Sequence, residues 1–257
     1  MKGRLVVFAA FVGLAVTAAR AQTPEAVNPP EAKRGRLRAQ QVRYDARNRL
    51  FEARGEVHLE LGDTVITCAS LIYHETTRVA WAEGNVEVVQ GHTAVRAPRL
   101  RYEANPRVTY AEGGVVVVQP DLELKAASLR FRHRTQVVFA EGGVELRTKN
   151  STLTSGSLWA DLQEKLAEAR GPAKLVRKGG PPPRGREQDQ VLAALAKENT
   201  TLTAQQFFKY AWATTEEAEG QQDVRVEQVD KTARADRIVY SESRDRIELT
   251  GSVRLEQ

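Results

Sequence analysis

Counted outward from a glycine, the chain alternates small or branched apolar residues with polar ones. Around Gly84 the even steps are Ala80, Ala82, Val86 and Val88; around Gly113 they are Thr109, Ala111, Val115 and Val117; around Gly142 they are Val138, Ala140, Val144 and Leu146. A period of two marks a strand with one buried face. Three residues after each glycine stand His58, Glu87, Val116, Glu145, Lys174, Asp223 and Arg254, mostly charged. The even face, glycine included, is therefore predicted to be the inner one.

The alternation recurs because the chain is a repeat. "RVAWAEGNVEVVQ", "RVTYAEGGVVVVQ" and "QVVFAEGGVELRT" follow one another at 29 residues, and the marking glycines are Gly55, Gly84, Gly113, Gly142, Gly171, Gly220 and Gly251, at intervals of 29, 29, 29, 29, 49 and 31. Eleven residues before them stand Tyr44, Tyr73, Tyr102, Phe131, Ala160, Lys209 and Tyr240. Self-similarity at such a period means stacked supersecondary units.

A second strand precedes each glycine strand. It carries two apolar columns, Ile66, Val95, Leu124, Leu153 and Leu202 in one, and Val42, Leu71, Leu100, Leu129, Leu158, Phe207 and Ile238 in the other. The columns are five apart, so the inward phase must slip, and a bulge near Pro98 and its equivalents would make the slip and curl the sheet. "HETT", "EANP", "RHRT" and "SESRD" read as turns within repeats, "QGH" and "QPD" as turns between them. Seven repeats then give about fourteen antiparallel strands over residues 37–257. The long interval contains "KGGPPPRGREQDQ", a Pro/Gly-rich insertion at about 177–200 that cannot continue a strand, with a short helical turn at residues 190–199.

The N-terminus changes where this domain is expected to work. Lys2 and Arg4 precede an apolar run ending in Ala19-Arg20-Ala21, the pattern of a cleaved signal peptide over residues 1–21. Residues 22–36 read as a flexible mature N-terminus. Removing Lys2, Arg4 and Arg20 from the 38 basic residues leaves 35 against 33 acidic, a net of +2, and no basic stripe interleaves with stacking aromatics, so nucleic acid is not an expected partner. The single cysteine, Cys68, permits no disulfide framework. It belongs to the small inward column Ala39, Ala97, Ala126, Ser155 and Ala204.

The motif segments "AEGNV" (Ala82 to Val86), "AEGGV" (from Ala111 and from Ala140) and "LTGSV" (from Leu249), each following an aromatic by eleven residues, resemble the LptA/OstA-like family of lipopolysaccharide-transport proteins. The resemblance implies an all-β, repetitive antiparallel open β-jelly roll with two splayed sheets. It also implies a non-enzymatic periplasmic protein that shields the acyl chains of lipopolysaccharide, or a related glycolipid, in a hydrophobic groove between inner and outer membrane. The inward residues expected to line that groove are Ile66, Leu71, Val86, Val88, Val95, Leu100, Val115, Val117, Leu124, Leu129, Val144 and Leu146. Partners implied are the OstA-like domains of inner- and outer-membrane transport components, joined by edge-strand pairing, and head-to-tail copies of the chain itself. The free edges fall near residues 37–44 and 247–256, neither with proline or a lysine cluster.

No cofactor or metal is expected, because His58 lies outward while His74, His92 and His133 fall in or beside turns, with no pair on one face. Glu83, Glu112 and Glu141 recur on the outer face, where they are solvated rather than paired across a cleft. Trp81, Tyr110 and Phe139 stack on that same outer side, as a partner site, as residues covered by a terminus or the insertion, or as a sign that the faces invert there. The competing architecture is an exported parallel β-helix of adhesin type, with a filled core and no lipid ligand.

Overall fold

A computed structural model describes residues 35–179, 199–212, 216–228, 231–241 and 246–256. The signal peptide, the N-terminus to residue 34, the proline-rich part of the insertion with its expected helical turn, and the 242–245 turn lie outside the described residues. The chain divides into two compact units, Met1–Gly113 and Gly114–Gln257. The first holds β1 (Gly35–Arg38), β2 (Gln41–Asp45), β3 (Leu50–Leu61), β4 (Thr64–His74), β5 (Val79–Gln90) and β6 (Thr93–Glu103). The chain passes from one unit to the other within β7 (Val108–Gln119). The second continues with β8 (Leu122–Arg132), β9 (Val137–Thr148), β10 (Ser151–Asp161), β11 (Leu166–Arg170), β12 (Ala173–Arg177), β13 (Thr200–Ala204), β14 (Phe207–Trp212), β15 (Glu216–Gln228), β16 (Lys231–Ser241), β17 (Arg246–Thr250) and β18 (Arg254–Glu256). The pairs β1/β2, β11/β12, β13/β14 and β17/β18 are each one long strand interrupted midway, and joining them restores the fourteen strands that the repeat predicts.

Along β3, β5, β9 and β15 the strand is bent by a bulge. In β5, Glu83 pairs with Arg99 and Val86 with Ala97, so Gly84 and Asn85 oppose Pro98 alone. Both have positive φ, 79° and 49°. Gly142 and Gly143 do the same opposite Gly156, and Gly55 and Glu56 opposite Ala69. On the partner strand the inward phase jumps from Val95 and Ala97 to Leu100 and Tyr102, the slip that the columns required.

The marking glycine itself is not inward. Gly84, Gly113 and Gly142 are exposed, because two successive left-handed residues turn the backbone out of the pleat while Ala82 and Val86 on either side stay buried. The glycine is needed for two reasons. Its φ is positive, and a Cβ on Gly84 or Gly142 would stand 2.6 Å from the Cβ of Ala69 or Ala127 on the preceding strand.

The sixth repeat is registered differently from the sequence expectation. Gly220 is buried with ordinary φ, and the bulge lies at Gln222 and Asp223, φ 66° and 47°, opposite Asp236. Gln222 is 29 residues before Gly251, so the true mark restores the period. The inward residues of β14 are accordingly Phe208, Tyr210 and Trp212, with Phe207 and Lys209 turned away. Tyr210, pairing with Ala218, takes the aromatic place assigned to Lys209.

Each unit thus has strands bent at a line of bulges into two layers. In the second unit β10 shows this directly: residues 151–155 pair with β12 and residues 158–161 with β11. One layer, before the bulges, contains β11, β14 and β17; the other, after them, contains β12, β13 and β18. All the described pairings are antiparallel. That is not the ladder of a parallel β-helix. Among the described residues no helix is long and apolar enough to cross a membrane.

Cys68 lies inward and buried beside Val57. Burial pushes its thiol from 9.0 up to about 11. A raised folded pKa stabilises below the unfolded value and loses that contribution as pH climbs through the folded one. The native chain should therefore resist a thiol reagent at pH 8 until denatured, and lose on the order of 1–2 kcal/mol between pH 9 and 11 from this group. Equal labelling of native and unfolded protein would show that the thiol is accessible.

Candidate functional site

Among the described residues of each unit the inner face is apolar, and cross-strand pairing arranges it in rows. In unit 1 one row runs Leu59, Ile66, Val88, Val95 beyond the bulges, and another runs Ala53, Leu71, Ala82, Leu100 before them. In unit 2 the first becomes Leu124, Leu146, Leu153, Leu175, Leu202, Val226, and the second Leu129, Ala140, Leu158, Ala169, Phe208, Gly220, Ile238. The second row alternates large with small in both units, because glycine strands supply alanine or glycine where their partners supply leucine, isoleucine or phenylalanine. Bulk on one strand fills the space left by the next.

Unit 1 holds Ile66, Leu71, Val86, Val88, Val95 and Leu100, and unit 2 holds Val115, Val117, Leu124, Leu129, Val144 and Leu146; none of the twelve is more than 9% exposed. They are packed against protein, not solvent. The apolar rows continue through the C-terminal third with Leu175, Leu202, Phe208, Val224 and Ile238, all buried. The Ala160 and Gln222 departures do not interrupt them.

The rows come to the surface at the two chain ends. On β2, Val42 and Tyr44 pair with Ala53 and Phe51 and are 55% and 44% exposed. On β17 and β18, Ile247 and Leu255 are exposed. There Val226, Gln228, Lys231, Thr232, Ala233, Leu255 and Glu256 line a cavity of about 330 Å³.

Among the described residues, the buried polar side chains lie along the rim farthest from the bulges. The buried polar residues are Thr64, Gln90, Thr93 and Thr109 in unit 1, and Ser151, Thr200, Glu216 and Ser241 in unit 2. Every one lies next to a turn or a strand end. In unit 2 the two layers are tied there. Ser151 Oγ donates to Glu216 Oε2 at 2.8 Å, Tyr210 OH to Glu216 Oε1 at 2.8 Å, and Thr148 Oγ1 lies 3.2 Å from Tyr210 OH. The Arg177 Nε stands 3.7 Å from Glu216 Oε2, and its guanidinium lies 5.5 Å over the Tyr240 ring. Burial raises the Tyr210 phenol above its ordinary range, so it stays a donor. Sequence reasoning passed over this cluster. Its signal was available: Glu216 is a carboxylate in the inward phase of its strand, two residues before the buried Ala218 and four before the buried Gly220.

On the outer face Trp81, Tyr110 and Phe139 do point outward, so the faces do not invert. Arg101 lies 4.4 Å over the Tyr110 ring, and Arg130 lies 4.5 Å over Phe139. The cover comes from arginines of the neighbouring strand, a cation–π pairing. Trp81, opposite Arg101 and Ile72, remains 37% exposed. Glu83, Glu112 and Glu141 are exposed. Among the described residues no cluster of His, Cys, Asp and Glu is placed to hold a metal ion.

The described residues of each unit thus form a two-layered antiparallel repeat around an apolar interior. The sequence pattern of the family described as LptA/(LptD N-terminal domain) LPS transport protein matches residues 95–257, and that of OstA-like protein matches residues 33–156. The chain belongs to this family of lipopolysaccharide transport proteins, whose members are carriers and bridges, not enzymes. Among solved structures, LptH from Pseudomonas aeruginosa, the LptA-homologous periplasmic component of the lipopolysaccharide transport device, aligns at 14% identity and a TM-score of 0.42, over 46% of this chain and 96% of its own. No curated protein sequence matches the chain.

Proposed function

We propose that the chain is exported by residues 1–21 to the periplasm and there holds the acyl chains of lipopolysaccharide, or a related glycolipid, between its two layers on the way from inner to outer membrane. The observation that carries this reading is the unbroken run of apolar inward rows, from Leu59 to Val95 in one unit and from Leu124 to Val226 in the other. Each buried CH₂ contributes about 0.8 kcal/mol without demanding a particular geometry, so like rows offer a lipid near-equal places along the interior. Ile66, Leu71, Val86, Val88, Val95, Leu100, Val115, Val117, Leu124, Leu129, Val144 and Leu146 are the proposed lining. The exposed inner-phase residues at the ends, Val42 and Tyr44 on one side and Ile247 and Leu255 on the other, support joining to OstA-like domains of membrane components, or to further copies, by strand addition.

The test is site-specific photo-crosslinking in a bacterium that makes lipopolysaccharide. A photoreactive residue replacing Val86 or Val115 is expected to capture lipopolysaccharide, and one replacing outward Val89 or Val116 is not. Equal capture from both faces, or none from either with no lipid copurifying, would remove the interior as the binding site.

A further inference from the structure

We infer that the rim cluster around Glu216 is a latch across the side of unit 2, and that acyl chains enter sideways by parting the layers along it. This rests on the proposed placement of acyl chains between the layers. The inward residues are buried, so a lipid must either thread from an open end or separate the layers. The interior rows oppose separation only through non-directional packing, which an acyl chain replaces in kind. The rim bonds are directional and have no substitute in a hydrocarbon chain.

Their distribution identifies what must break. Thr148, Ser151 and Arg177 come from the layer after the bulges, while Tyr210, Glu216 and Tyr240 come from the layer before them. One carboxylate gathers most of the contacts: Ser151 and Tyr210 at 2.8 Å, Thr148 at 3.5 Å and Arg177 at 3.7 Å. Glu216 is 8% exposed, and a buried carboxylate is stable only while such donors face it. It therefore holds the layers shut cooperatively: losing the Ser151 side of the contact leaves a charge needing water, and water enters only when the rim opens. The bulge line on the opposite side is continuous backbone and acts as the hinge.

The test compares loading of fluorescently labelled lipopolysaccharide by the full chain and its variants. In a Cys68→Ala background, Ser151→Cys and Glu216→Cys are bridged by a short bis-methanethiosulfonate reagent. The bridged protein is expected to load at least about tenfold more slowly than the reduced protein, with reductant restoring the rate. Separately, Ser151→Ala should load about tenfold faster than the unsubstituted chain, the effect of one hydrogen bond to a charged group. Bridged protein that loads as fast as reduced protein overturns the latch in favour of end-on threading. If the doubly substituted chain does not fold, Ser151→Ala decides, and unchanged or slower loading counts against the latch. If the unsubstituted chain takes up no labelled lipopolysaccharide, the lipid reading itself fails and the latch with it.

Discussion

Val88→Asp is expected to unfold unit 1 cooperatively, whereas Val89→Asp, one residue on, should leave it folded. Val88 is 2% exposed and sits in a row between Ile66 and Val95. Val89 is 37% exposed, between Val65 and Ala94 on the other side. A carboxylate at Val88 would have no donor among those neighbours, and an unpaired buried charge costs several kcal/mol, about 4 or more. At Val89 it stays in water and should change stability by less than about 1 kcal/mol. Denaturant unfolding of the two variants measures the difference. Similar midpoints would mean that the inner face of this unit is open to solvent, contrary to its burial.

Gly142→Val should destabilise by about 3–5 kcal/mol, combining a branched residue in the left-handed region with steric overlap. Gly142 has φ 81°, and its Cβ would come within 2.6 Å of Ala127 Cβ. Gly143 is the control: its φ is 66°, but a Cβ there meets nothing within 4 Å. Gly143→Ala should cost only about 1–2 kcal/mol, the conformational part alone. Making Ala127→Gly in a Gly142→Ala background should recover part of the loss, since it removes the contact and leaves the strain. No recovery would place the whole cost in the backbone.

These two experiments separate what was legible in the sequence from what was not. The faces were legible because the side-chain period of a strand is two, and each repeat writes it again. The slip between Ile66 and Leu71 and between Val95 and Leu100 required a bulge, and the pairing has one at each such place. The placement of the glycine was not legible. Parity alone puts Gly84 inward with Ala82 and Val86, and only two successive left-handed residues, invisible to a count of twos, turn it out. In the sixth repeat Gly220 drew the eye because it is a glycine. The bulge uses Gln222 and Asp223 instead, since a polar pair can adopt the left-handed conformation at higher cost. The 29-residue interval back from Gly251 would have found it. The outer aromatics were misfits only while their partners were unknown: Arg101 and Arg130 sit on neighbouring strands, which a single-strand periodicity does not report.

The bulge repeat also makes this molecule a ruler. Because one period holds two strands and one complete slip, removing 29 residues returns every following side chain to its own face, while removing 28 exchanges inside for outside. Lengthening is quantised in the same way, each added period extending a sheet by two strand spacings, about 10 Å. The surplus in the fifth interval does not disturb the pairing of the strands on either side of it. It leaves after Arg177 and returns at Thr200, and those two residues are partners across adjacent strands.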